Sequence, residues 1–214
     1  MGVSEFFSYG GVPMYLIAAC SVAALALVVE RAIRIERARV DLGTLLRPVA
    51  GFAQAGRWDD ALRHCDRIGK PAARVAKAGL QRHLRPREEV REALEDAAER
   101  ELNLLEKRLP LIEVLGRVSP LLGLLGTVTG MVDAFRKIQT AGGGPVDQSV
   151  LAGGIWQALL TTVAGLSVAI PVYVVHSVLA GRVRAHAEEF ERTATDVLEI
   201  LAQGGASGGE GGTR

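Results

Sequence analysis

Thr127, Gln157, Thr161 and Thr162 are the side chains best placed to do chemistry in this sequence, because each sets a hydrogen-bonding group inside a stretch free of charge. Hydroxyl and amide groups both donate and accept hydrogen bonds without carrying a charge. Beside them stand Gly123, Gly126, Gly130 and Gly165, whose missing side chains allow two helix backbones to approach closely. The same stretches hold no Asp, Glu, Lys or Arg near the centre of any long apolar segment. A proton relay through a bilayer normally needs an ionisable group at depth, so if protons are moved, a partner should carry the titrating carboxylate. His176 reads as an interfacial residue. His64, His83 and His186, set among charged neighbours, read as solvated side chains.

Other chemistries find no footing. The sequence has no Gly-rich loop ending in Gly-Lys-Ser/Thr, no nucleophile elbow and no metal-ligand spacing. The expectation is a protein that is not an enzyme, with no cofactor and no metal. Acids match the basic residues of the charged region, which argues against nucleic-acid binding. Cys20 lies in an apolar run and Cys65 in a charged one, so no disulfide is expected between them.

The elements that must carry these residues are membrane helices. Hydrophobic residues make up 49% of the chain, yet only 5% is aromatic and 25 residues are glycine, a composition that suits lipid better than a compact soluble core. Gly11 to Val29 is a run of 19 uncharged residues, about 28 Å of helix and close to the thickness of a hydrocarbon core. Gln148 to Gly181 is again free of Asp, Glu, Lys and Arg, whereas only 15 uncharged residues separate Arg117 from Asp133. No Lys or Arg precedes Arg31, so the first segment lacks the basic leader of a cleaved signal peptide and is expected to remain as an anchor. Arg31, Arg34, Arg37 and Arg39 follow the first span, and Arg182 and Arg184 follow the third. The hairpin between spans two and three holds just Arg136 and Lys137. Basic residues stay on the cytoplasmic side, which predicts a periplasmic N-terminus and a cytoplasmic C-terminus.

The expected fold is an all-α integral membrane protein with three transmembrane helices and long cytoplasmic helical extensions. Its divisions are a periplasmic N-terminus at 1–10, spans at 11–30, 111–136 and 150–181, a cytoplasmic helical region at 31–110 and a periplasmic loop at 137–149. A cytoplasmic helix at 182–203 and a disordered tail at 204–214 complete it. The loop centres on Gly142-Gly143-Gly144-Pro145. Helix breaks are expected near Gly56, Gly69-Lys70-Pro71 and Pro86, and the helix after Pro86 is expected to run on into the second span, with Pro110 and Pro120 as kinks.

At about 100° per residue, Gln157, Ala158, Thr161, Thr162, Gly165 and Ala169 share one side of span three, and Leu159, Leu160, Val163, Leu166, Ile170 and Val174 the other. Span two divides alike, with Gly116, Ser119, Pro120, Gly123, Gly126, Thr127 and Gly130 opposite Leu121, Leu124, Leu125, Val128 and Val132. Span one has no such stripe. Spans two and three are therefore expected to border something interior. Small faces also serve simply to pack membrane helices, and Gly126 and Gly130 have the spacing for it.

The segments Ser119-Pro120-Leu121-Leu122-Gly123-Leu124-Leu125-Gly126-Thr127-Val128-Thr129-Gly130-Met131 and Gly154-Ile155-Trp156-Gln157-Ala158-Leu159-Leu160-Thr161-Thr162-Val163-Ala164-Gly165-Leu166 resemble the second- and third-span signatures of the ExbB/TolQ branch of the MotA/TolQ/ExbB proton-channel family. The resemblance implies a homo-oligomer, a pentamer, in the bacterial inner membrane. It surrounds a pair of helices from an ExbD- or TolR-like single-span partner, whose aspartate takes up and releases protons. A TonB-like protein is a further implied partner. Thr127 and Thr162 match the family's pore-lining threonines. Gln157 stands where the ExbB pattern has a glutamate, and Thr129 where a tryptophan is common. The function implied is a subunit of a motor, driven by the proton-motive force, that energises outer-membrane transport or maintains the envelope. The residues alone leave open a structural scaffold recruiting cytoplasmic proteins and an autonomous ion channel.

Overall fold

The computed structural model describes residues 3–140 and 148–208. Within them the chain is all-α: α1 (Val3–Ala38), α2 (Leu42–Gln54), α3 (Trp58–Ile68), α4 (Pro71–Leu80), α5 (Arg87–Glu106), α6 (Leu109–Thr140) and α7 (Gln148–Gly208). Three helical stretches are long and apolar enough to cross a membrane. The Gly142-Gly143-Gly144-Pro145 turn lies outside the described residues, as does the chain beyond Gly208. Helix α7 itself continues past Gln203 to Gly208. Two compact units divide the chain: Met1–Arg31 with Arg108–Val178, and Ala32–Lys107 with Leu179–Arg214.

The first unit is built from α1, α6 and α7. Gly11 interrupts α1 with φ 58°, a left-handed value that costs glycine little. Pro13, two residues on, has no N–H to give and so suits a restarted helix. The stretch from α5 into the second span is interrupted sharply next to the expected kink at Pro110. Helix α5 ends at Glu106, and Arg108 adopts φ 72°, strained for a residue with a Cβ. Two causes act together at this break. Pro110 lacks the donor that a continuing helix would use but fits a first turn, and the Arg108 guanidinium pairs with Glu30 of α1. Glu30 also holds Arg31 at 2.9 Å, so one carboxylate fixes both the end of the apolar part of α1 and the start of α6. Both cysteines are free.

The second unit is a soluble-type helical cluster. Asp41 caps α2 by accepting from the Gly43 and Thr44 amides at 3.2 Å each. Helix α3 stops at Gly69, whose φ of 61° lets its N–H close on the Cys65 carbonyl, and Pro71 then opens α4. Leu45, Val49, Ala61, Cys65, Val75, Leu80 and Leu94 are buried. Helix α4 meets α5 where a Cβ on Gly79 would stand 2.7 Å from a Leu94 methyl carbon. Burial, then the neighbouring Asp66 charge, pushes the Cys65 thiol up to about 11.

Within this unit α7 docks on the end of α1 through His186, which is not the solvated side chain expected from its neighbours. It is buried, with Nδ1 2.9 Å from Glu189 Oε2 and Nε2 3.2 Å from the Ile35 carbonyl oxygen. Both ring nitrogens face acceptors, an arrangement that the doubly protonated ring satisfies. The Glu189 hydrogen bond raises the pKa of His186. Burial opposes the rise, the Ile35 carbonyl and the Glu189 charge reinforce it, and Arg39 works against it. Phe190 lies against the ring and Arg182 pairs with Glu36 at 3.1 Å beside it.

A raised pKa means stability that is complete below the unfolded value and lost as pH climbs through the folded one. The difference in thermal stability between wild type and His186→Gln should be largest below about pH 6.5, the ordinary imidazole value, and should shrink as pH rises above it. Unfolding in detergent across that range measures it; a difference that does not vary with pH would remove the charged ring from the account.

Candidate functional site

Two rows of small residues meet in the first unit. On α6 the buried row is Gly116, Ser119, Gly123, Gly126, Gly130 and Ala134; on α7 it is Ala158, Thr161, Gly165, Ala169 and Val172. Steps of three and four keep each row on one stripe of its helix. A Cβ on Gly123 would lie 2.9 Å from the Thr161 carbonyl oxygen and 3.0 Å from Thr162 Cα, and one on Gly165 would lie 2.6 Å from the Ser119 carbonyl oxygen. Backbone therefore rests on backbone. Gly126 leaves its space to the Thr161 side chain, and Gly154 leaves its space to Ala134.

Polar bonds follow the same seam. Thr161 Oγ1 lies 2.7 Å from the Ala158 carbonyl oxygen on its own helix and 3.2 Å from that of Gly123, so its one proton is shared between them. Thr162 Oγ1 donates to the same Gly123 carbonyl at 3.2 Å. Thr161 is buried and Thr162 half-buried. Thr127 is half-buried on the facing helix and donates back to the Leu124 carbonyl at 2.6 Å, which leaves its oxygen lone pairs to accept. Gln157 is half-buried and has no hydrogen-bond partner among the described residues. The geometry thus brings Gly123, Gly126, Gly130, Gly165, Thr161 and Thr162 together in one contact. Thr127 and Gln157 stand at half-buried positions without bonding across it.

Around this seam the environment is apolar. Leu121, Val132, Leu159, Ile170 and Val174 are all more than half exposed in the single chain, on the faces opposite the small rows. Four of the five charged residues of α6 pair along the helix: Glu113 with Arg117, and Asp133 with Arg136 at 3.5 Å. No cluster of His, Cys, Asp or Glu among the described residues could hold a metal ion. The seam itself offers hydrogen-bonding groups and close packing.

Two features of the fold are not marked by residue type alone. Gly154 packs on Ala134, a partner that only the pairing of the two helices reveals. His186 and Glu189 carry an i,i+3 acid–histidine spacing that could have marked them as a bonded pair.

Residues 67–192 match the model of the MotA/TolQ/ExbB proton channel family. The chain is 30% identical over 190 residues to an ExbB homolog of Methanothermobacter thermautotrophicus, covering 88% of this chain and 67% of that protein. It is 32% identical over 198 residues to an ExbB-like biopolymer transport protein of Synechocystis, covering 91% and 77%. With the Tol-Pal system protein TolQ of Haemophilus influenzae it shares 34% over 109 residues, about half of each chain at 51% and 47%.

The seam predicts graded intolerance to a single methyl group. Gly126→Ala meets the Thr161 side chain head on and should lower unfolding stability in detergent by about 1–3 kcal/mol. Gly130→Ala, whose Cβ would sit 3.3 Å from that of Ala158, should cost less, and Gly153→Ala, with nothing within 4 Å, least. Equal effects at the three positions would refute the packing.

Proposed function

Because the chain belongs to the MotA/TolQ/ExbB proton channel family, on its ExbB/TolQ branch, we propose that it is the channel-forming subunit of a motor driven by the proton-motive force in a bacterial inner membrane. A ring of copies, a pentamer, encloses membrane helices of an ExbD- or TolR-like partner whose carboxylate titrates, and a TonB-like protein is a further candidate partner. The motor energises outer-membrane transport or maintains the envelope. The N-terminus is periplasmic and the C-terminus cytoplasmic.

The observation that carries this reading is a division of labour. The spans hold hydroxyl and amide groups at depth but no ionisable side chain at their centres, so this chain can conduct a proton only alongside a titrating group supplied from elsewhere. Thr127 contributes an acceptor oxygen, and Gln157 contributes both a donor and an acceptor. Thr162 and Thr161 line the same route while holding α7 to α6 through Gly123. The exposed leucine and valine faces of α6 and α7 supply the surfaces that lipid and neighbouring copies cover.

A second reading, a packing scaffold, draws on one observation: the hydroxyls of Thr161 and Thr162 are spent on a carbonyl of the neighbouring helix. Valine substitution separates the two readings. Thr127→Val removes no interhelical bond and should leave assembly intact while reducing activity that depends on the proton-motive force by tenfold or more, on the order expected when one proton-transfer group is lost. Thr162→Val should do the same with a small added loss of stability, about 0.6 kcal/mol for an average interhelical bond in a membrane. Full activity in Thr127→Val would favour the scaffold.

A further inference from the structure

In the second unit a cavity of about 370 Å³ opens between the end of α1, the α3–α4 turn and the end of α5. Four basic residues, Arg34, Arg37, Lys70 and Arg74, line it, against the single acid Glu101. That acid is already taken: Arg74 grips it with Nε and Nη2, both at 2.6 Å, and turns Nη1 to the Gly69 carbonyl at 2.7 Å. Lys70 donates to the Arg37 carbonyl oxygen at 2.5 Å, which orders the ammonium but does not neutralise it. Arg34 and Arg37 are exposed and form no ion pair among the described residues. Some basic groups elsewhere in the unit meet acids at short range, Arg57 and Arg63 on Asp60, Lys77 on Asp66, Arg182 on Glu36, and others, such as Arg47 and Arg87, are exposed on the surface away from this cavity. Here three uncompensated cations face one cavity, an arrangement that like-charge repulsion disfavours unless an anion enters.

The position along the chain says which anion. Arg34 and Arg37 follow Val29, the last uncharged residue of the first apolar run, by five and eight residues on the same helix. At 1.5 Å per residue they stand about 7 and 12 Å beyond the hydrocarbon edge, while the headgroup layer is roughly 5–8 Å deep on each side. Arginine stems bend back readily toward an interface, and guanidinium groups bind phosphate oxygens two at a time. The cavity also has an apolar wall, including the buried Leu105. A free phosphate has no use for such a wall, but the glycerol and first acyl carbons of a lipid would cover it. Basic pockets between helices at a membrane surface hold lipid headgroups in this way. We infer that the Arg34, Arg37 and Lys70 cavity binds the phosphate headgroup of an anionic phospholipid.

The inference rests on α1 crossing a membrane, as proposed above, yet it is tested without proton flow. A failure of the energiser reading would appear in activity and leave lipid binding unchanged. Full-length protein in detergent is titrated with phosphatidylglycerol or with phosphatidylcholine of the same acyl chains, and retained lipid is counted by native mass spectrometry. Wild type should prefer phosphatidylglycerol about tenfold or more. Arg34→Gln with Arg37→Gln should weaken that binding by roughly thirtyfold. Arg47→Gln with Arg87→Gln removes equal charge from two exposed arginines away from the cavity and should change binding less than about twofold. Equal retention of the two lipids, or equal losses in the two double variants, overturns the proposal. So does millimolar inorganic phosphate binding as tightly as the lipid, which would make the ligand a free anion.

Discussion

The close approach of α6 to α7 at Gly123 is the constraint on which the rest of the first unit depends. Lipid tails are as apolar as leucine, so burying leucine between two membrane helices gains little. Dispersion between backbones in direct contact, with hydroxyl bonds to one shared carbonyl, can hold them instead. That solution needs glycine or another small residue wherever the axes come near. It also fixes the rotation of each helix: once the small rows face inward, Leu121, Val132, Ile170 and Val174 must face outward. The positions of Thr127 and Gln157 at the edges of the contact follow from the same rotation.

The second unit obeys different physics. Helices α2, α3 and α4 are short, with Asp41 capping α2, Gly69 ending α3 and Pro71 opening α4, and the interior of Leu45, Val49, Val75, Leu80 and Leu94 is the kind that water drives together. The unit's polar contacts are mostly exposed ion pairs, which add little. The buried His186 with Glu189 differs, since its hydrogen bonds cannot be exchanged for water without opening the packing of α7 on α1.

Much of this was legible in the sequence because periodicity and breakers act locally. The charge-free runs marked the apolar helices, and Gly69-Lys70-Pro71 and Pro86 marked the ends of short ones. The two small stripes were visible at helical spacing, as was the family signature carried by Ser119 to Met131 and Gly154 to Leu166. What the stripes touch was not visible: a glycine row reads alike whether it faces a shaft or a neighbouring helix, and only the paired helices show Gly123 against Thr161 and Thr162. A kink at Pro110 was legible, but the full break at Arg108 was not. It arises from an ion pair with Glu30, far away in sequence, acting together with a proline that alone would suit a first turn or a kink. His186 was misjudged for a related reason, because charged sequence neighbours say nothing about what the opposite helix covers.

A joint lined by Gly116, Gly123, Gly126, Gly130, Ala134, Ala158, Gly165 and Ala169 freezes almost no side-chain rotamers when it closes. The entropy of ordering was spent in forming the helices, before they met. Parting such surfaces releases little disorder and rejoining them demands little, so the free-energy difference between closed and slightly shifted arrangements comes down to van der Waals contact and a few carbonyl-directed hydroxyls. Large interlocking side chains would have to find their rotamers anew at every step. A smooth bearing of this kind lets two paired helices shift slightly against each other without repacking their side chains.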